Sequence, residues 1–213
     1  MKKAGIVVVI LLIAGMCFAN GTKERAPVSL GVGASFPFEH EKSEYSGEDI
    51  TSDMNAVGLD ISLVQLPYKN SWGCIGNFSF AWPQSIESEY KGNKIASSAS
   101  DYDNLFLYDF TISPDYFFVN NDDFYLGIGP AFNLSLFTWK LNYFTGLNYT
   151  FGLGGNVFGM YKFAPKGGLF FGVNGIYNFY TMGWIIYDDK TYNNSGTTNN
   201  FEFLPYVGVS FIF

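Results

Sequence analysis

The chain has 213 residues, enough for one domain, with 12 basic against 19 acidic side chains and a formal charge of −7. That balance excludes a nucleic-acid partner and argues against docking on anionic lipid. Aromatic residues make up 20% and charged residues only 15%, with 24 glycines, so charge would cover a water-facing surface poorly.

Lys2 and Lys3 precede an apolar run from Gly5 to Phe18, and Ala19 is followed by a polar stretch to Arg25. The run is too short to cross a bilayer as a helix, and the order basic, apolar, small reads as a secretory signal peptide. Residues 1–19 are therefore expected to be removed, leaving 20–25 as a short periplasmic N-terminal segment and 26–213 as the folded domain. Two processing routes are open: cleavage after Ala19 and lipidation at Cys17, where Met16 departs from the small residue such sites carry. After cleavage Cys74 is the one cysteine left, so no internal disulfide forms.

From residue 26 onward no apolar run reaches about 18 residues, and the hydrophobic period is two, the period of strands. Val28, Leu30, Val32, Ala34, Phe36 and Phe38 share one face of the first strand. A polar stretch, 39–53, reads as a loop, and strand two follows with Val57, Leu59, Ile61 and Leu63 opposite Asp60 and Ser62. After a Pro67–Asn70 turn, strand three places Trp72, Cys74, Phe78, Phe80 and Trp82 on one face. A second polar stretch, 83–103, leads to strand four, Phe106 to Phe118, a tight Asn120–Asp123 turn, and strand five, Phe124 to Leu136. A medium loop around 140–146 leads to strand six, which runs from Tyr149 to Phe163, and a short turn at 164–168 joins it to strand seven, Phe171 to Phe179. A longer connection, 181–200, precedes a final strand that is apolar at every odd position from Phe201 to Phe213. Pro114 and Pro130 each withdraw a ladder donor and are expected at bulges.

Eight strands with connections alternating long and short make an all-β, antiparallel, up-and-down transmembrane β-barrel, with long loops at one end and short turns and both termini at the periplasmic end. A soluble sandwich would bury its greasy face. Eight strands enclose room only for their own side chains, so the Gly, Ser, Ala and Asn set belongs inside and the Phe, Leu and Val set faces outer-membrane lipid. Aromatic residues gather in two belts, Trp72, Tyr116, Phe118, Phe124, Tyr161, Phe163 and Phe213 at the short turns and Trp82, Tyr149 and Phe179 at the long loops.

A chain closing on an aromatic residue after such a strand resembles the C-terminal signature of bacterial outer-membrane β-barrels. Residues 26–213 resemble the small eight-stranded family of the OmpA membrane domain, OmpX and OmpW types, on pattern and on Phe213 alone, with no motif that singles out one member. The resemblance implies insertion by the barrel-assembly machinery, which recognises the last strand, with Val207, Val209, Phe211 and Phe213 as its signal.

By alternation the inward charges are Asp60, Asp109, Asp115, Lys162 and Glu202, with Lys162 within reach of Asp115. Carboxyls inside are held by Ser, Asn and Thr donors, or they line a hydrated, cation-favouring lumen. Inward Phe117, Phe137, Trp139, Phe158, Met160, Phe170 and Tyr206 would obstruct a wide pore. His40, the one histidine, sits in an acidic loop near Ser43 and reads as a solvated residue rather than a catalytic one. The acidic run from Glu39 to Asp53 lacks the spacing of a calcium loop. The expectation is a barrel with no catalytic, cofactor or metal residue, which carries outer loops for adhesion, a protein or host ligand, or envelope stability. The alternative is a narrow pore for small solutes or cations lined by Asp60 and Asp109. Trp184 to Tyr187 is expected to prolong strand seven past the membrane, giving an edge that can pair with a partner strand.

Overall fold

The computed structural model describes residues 26–45, 48–90, 92–188 and 190–213. The signal peptide, the 20–25 segment and the choice between Cys17 and Ala19 lie outside them, as do the side chains of Glu44, Glu48 and Asp49. The described residues form antiparallel strands joined by short turns, with one 3-10 turn at Ala99–Asp101.

The first wall strand is built in two pieces, β1 (Val28–Ser35) and β2 (Phe38–Tyr45). They break at Phe36-Pro37, where proline lacks an N–H for the ladder. The break stays tied to both neighbours: Phe36 N–H donates to the Pro205 carbonyl and Ala56 N–H to the Pro37 carbonyl, both at 2.9 Å. Next come β3 (Glu48–Gln65), β4 (Trp72–Tyr90), β5 (Asn93–Ser98), β6 (Asn104–Asn120), β7 (Phe124–Leu141), β8 (Phe144–Ala164), β9 (Gly167–Tyr187) and β10 (Lys190–Ile212). The wall runs β1/β2, β3, β4, β6, β7, β8, β9, β10, and β10 closes back on β1 and β2, giving a ring of eight. β5 lies outside this ring as the return arm of a hairpin on β4.

The stretches 39–53, 83–103, 140–146 and 181–200 were expected to be loops, but most of their length is strand. β2 pairs with β3 up to Tyr45↔Glu48, β7 with β8 up to Leu141↔Phe144, and β9 with β10 up to Tyr187↔Lys190. The reason is physical. Once the ladder has been started by the greasy part of a strand, polar residues extend it, because each added pair satisfies backbone groups whatever the side chain. The structure also corrects the expectation for the prolines. No bulge occurs at Pro114 or Pro130. The β6–β7 ladder stops after Ile112↔Phe132 and resumes in unchanged register at Tyr116↔Ile128, a gap that sets the two prolines opposite each other. The Ser113 hydroxyl reaches the Pro130 carbonyl across this gap at 2.8 Å.

Alternation sorts the side chains as the sequence indicates. Leu30, Val32, Leu59, Ile61, Phe132, Leu153, Phe171, Val207 and Phe211 stand exposed on the outer wall. An apolar surface this continuous does not face water in a folded protein, and it matches the lipid-facing wall of a membrane barrel. Inside, Val64, Leu66, Ile75, Phe117, Tyr125, Phe158, Met160, Phe170, Tyr206 and Ile212 form one buried cluster filling the half next to the termini. A smaller cluster, Met54, Ala56, Ala81 and Leu107, covers the β3–β4–β6 flank of the other half.

Candidate functional site

Asp60, Asp109, Asp115 and Glu202 all point into the lumen and are at most 2% exposed. Asp115, nearest the apolar cluster, accepts from the Ser113 hydroxyl and, at 2.8 Å, from Asn156 Nδ2. Tyr206 donates its hydroxyl to Asn156 Oδ1 at 3.0 Å, which holds that amide in place. Lys162 was expected within reach of Asp115, but its ammonium lies 5.7 Å from the centre of the Tyr125 ring. Asn156 is the β8 residue that meets Asp115, and Lys162 stands six positions further along the same strand. At about 3.3 Å per residue that is roughly 20 Å, too far for an ion pair.

Asp60 accepts from the Ser62 hydroxyl, which in turn receives Asn77 Nδ2 at 2.7 Å. Asp60 and Asp109 share a cavity of about 10 Å³ with Ser79, Thr111 and Asn174, room for a single water.

Beyond that cavity three carboxyls converge. One oxygen each of Glu39, Asp109 and Glu202 lies within 4.8 Å of the other two. Glu39 on β2 and Glu202 on β10 are direct cross-strand partners. Asp109 comes from β6, four strands from β10 in either direction round the ring, so its carboxyl meets theirs across the lumen. Asn178 Nδ2 donates to Glu202 Oε2 at 3.2 Å and Asn200 Nδ2 to Glu39 Oε2 at 3.3 Å. Next along β2, Glu41 accepts from Thr198 Oγ1 at 3.1 Å, and burial raises its carboxyl above the usual range. Both oxygens of Asp109, Glu202 Oε1 and the Oδ1 atoms of Asn178 and Asn200 are buried without a hydrogen-bond donor.

Glu39 was missed as an inward residue because 39–53 was read as a loop. The signal was present: continuing the alternation of the first strand through Pro37 places Glu39 and Glu41 on the inner parity. His40 falls on the outer parity, where its Nδ1 lies 2.6 Å from Asp53 Oδ1 with both side chains about half exposed. Cys74, outward by parity, is buried in the wall.

The belt residues lie on the outer wall. At the end carrying the termini Trp72 meets Tyr116 edge to face at 5.5 Å and Phe124 lies 6.4 Å from Phe171, with Phe118, Tyr161, Phe163 and Phe213 exposed around them. At the hairpin end Trp82 packs on Phe80 at 4.5 Å and Tyr149 on Trp184 at 6.0 Å, and Phe179 is exposed. Val207, Val209, Phe211 and Phe213 form an exposed apolar row along β10.

No protein-family model matches the sequence, and no curated protein does. Among solved structures the chain is similar to the outer membrane protein OprG from Pseudomonas aeruginosa, at 12% identity and a TM-score of 0.60, over 88% of this chain and 96% of that one. It is also similar to Neisserial surface protein A, NspA, at 17% identity and a TM-score of 0.52, over 87% of this chain and 97% of that one. At such identities the likeness is one of fold. The chain has the fold of the small eight-stranded bacterial outer-membrane β-barrels, the class that its alternating strands resemble.

Proposed function

We propose that the protein is a non-enzymatic outer-membrane barrel with a closed lumen, acting through protein contacts made by the hairpins that prolong its wall. One observation carries this reading: Phe117, Phe158, Met160 and Phe170, each at 0–1% exposure, fill the lumen beside the termini. A close-packed ring of this kind leaves no water-filled path, so the working surface is the hairpin end. There Phe144 and Tyr187 stack at 4.6 Å with an interplanar angle of 13°, beside exposed Tyr143 and Tyr192. The ladder from β10 to β2 starts at Asn199, so among the described residues the 190–197 part of β10 has its backbone ladder with β9. A hairpin edge next to exposed rings suits a partner that adds a strand. In this reading the short turns and both termini face the periplasm and the hairpins face outward.

Planar-bilayer recording of the purified barrel tests the closed lumen. The expected record has no steady openings. Steady cation-selective openings that vanish in Asp60→Asn/Asp109→Asn would establish the narrow pore instead. Lipase or acyltransferase activity lost in His40→Ala would overturn the non-enzymatic reading.

A further inference from the structure

We propose that Glu39, Asp109 and Glu202 hold a hard divalent cation, calcium, inside the hairpin-end half of the barrel. The inference stands apart from the hairpin-contact reading above. Three carboxyl oxygens from strands on opposite sides of the ring lie within 4.8 Å of one another. Like charges held so close repel strongly in a low-dielectric interior unless something neutralises them. Acid clustering alone would not identify a ligand. The second observation is that buried carboxyl oxygens here lack donors, both of Asp109, which reaches the other two acids from the opposite wall, and one of Glu202. The other buried acids, Asp60 and Asp115, accept from Ser62 and from Ser113 and Asn156. The chain can therefore satisfy a lumen carboxyl with donors, and among the buried carboxyls it leaves open those of Asp109 and Glu202.

The converging ligand atoms are all carboxyl oxygens, which suits a hard cation and gives no hold to a soft one. Calcium accepts six to eight oxygens in flexible geometry, whereas magnesium demands a near-ideal octahedron and keeps much of its water. An irregular set drawn from β2, β6 and β10 favours calcium. Entry is from the hairpin end, because Glu39 is partly exposed while Asp109 and Glu202 are buried. A bound cation would tie β6 to β2 and β10 across the lumen, in the half that lacks the aromatic filling.

The test uses the full barrel refolded in detergent, stripped with chelator and titrated with calcium chloride. Equilibrium dialysis is expected to find one calcium per barrel, and the temperature at which the gel mobility shifts should rise on binding. Asp109→Asn and Glu202→Gln, both close in shape to the native residues, should each weaken binding at least tenfold. Asp115→Asn, at a carboxyl already satisfied by its neighbours, should leave it unchanged. In chelator Asp109→Asn should outlast the unsubstituted barrel, since one of three repelling charges is gone, and calcium should reverse that order. A barrel that binds no calcium, or that acid stabilises while calcium does not, carries shared protons at this cluster and the proposal fails. Tighter binding of magnesium would overturn the calcium assignment, and equal loss in Asp115→Asn would overturn the location.

Discussion

The two halves of this barrel follow one alternation and close their interiors in opposite ways. Beside the termini the inward positions carry large rings, and glycines on facing strands make room for them. A Cβ at Gly31 would sit 2.4 Å from the Phe170 ring, and one at Gly172 would sit 2.3 Å from the Tyr206 hydroxyl. The acid in that half, Asp115, is satisfied by protein donors. Towards the hairpins a smaller apolar cluster lines β3, β4 and β6, and Asp109 reaches across to Glu39 and Glu202 with oxygens of Asp109 and Glu202 left without donors. The first half is filled by its own rings. The second has capacity left over, and that difference separates a structural anchor from a site.

Emptying the filled half should give the largest effect. Phe170→Ala removes a fully buried ring and is expected to lower stability by about 3–5 kcal/mol, read from denaturant unfolding of the refolded barrel by tryptophan fluorescence. A loss below about 1 kcal/mol would show that the half beside the termini is no anchor.

The outer wall comes next. Ile61→Arg places a charge on the greasy face between the aromatic-rich ends and should cost about 2–4 kcal/mol in a lipid bilayer. The same protein carrying Asn55→Arg, an exposed polar position nearer the hairpins, should lose far less. Equal losses at the two positions would mean that the apolar band does not meet hydrocarbon.

Much of this was legible in the sequence, and the exceptions share a cause. Alternation placed Asp60, Asp109 and Glu202 inside and Val207, Val209 and Phe211 outside without knowledge of any neighbour. What alternation cannot supply is height. Strands in a barrel are tilted and staggered, so residues at equal distances from their own turns lie at different levels. That is why Lys162, expected within reach of Asp115, stands far from it, and why the meeting of Asp109 with Glu202 across the lumen is not visible from alternation. Polarity misled at strand ends. Glu39, His40 and Glu41 were assigned to a loop for want of greasy neighbours, while the ladder runs through them to Tyr45. Pro114 and Pro130 misled differently, because two prolines facing one another cancel both missing donors in a single gap and need no extra residue.

The smallest effect sharpens the comparison from the exposed side of the hairpin half. His40 and Asp53 are cross-strand partners on β2 and β3, and their side chains meet at 2.6 Å with about half of each open to solvent. Side-chain pairs this exposed contribute about 0–1 kcal/mol, because solvent competes for both partners and ordering two side chains offsets the attraction. His40→Ala should therefore leave the denaturation midpoint within about 0.5 kcal/mol of the unsubstituted barrel, measured as for Phe170→Ala. The backbone ladder on either side, Glu39↔Met54 and Glu41↔Ser52, does not depend on the imidazole. A loss approaching that of Phe170→Ala would mean that the hairpins hold the barrel together as strongly as its filled half does, and the division into anchor and site would not stand.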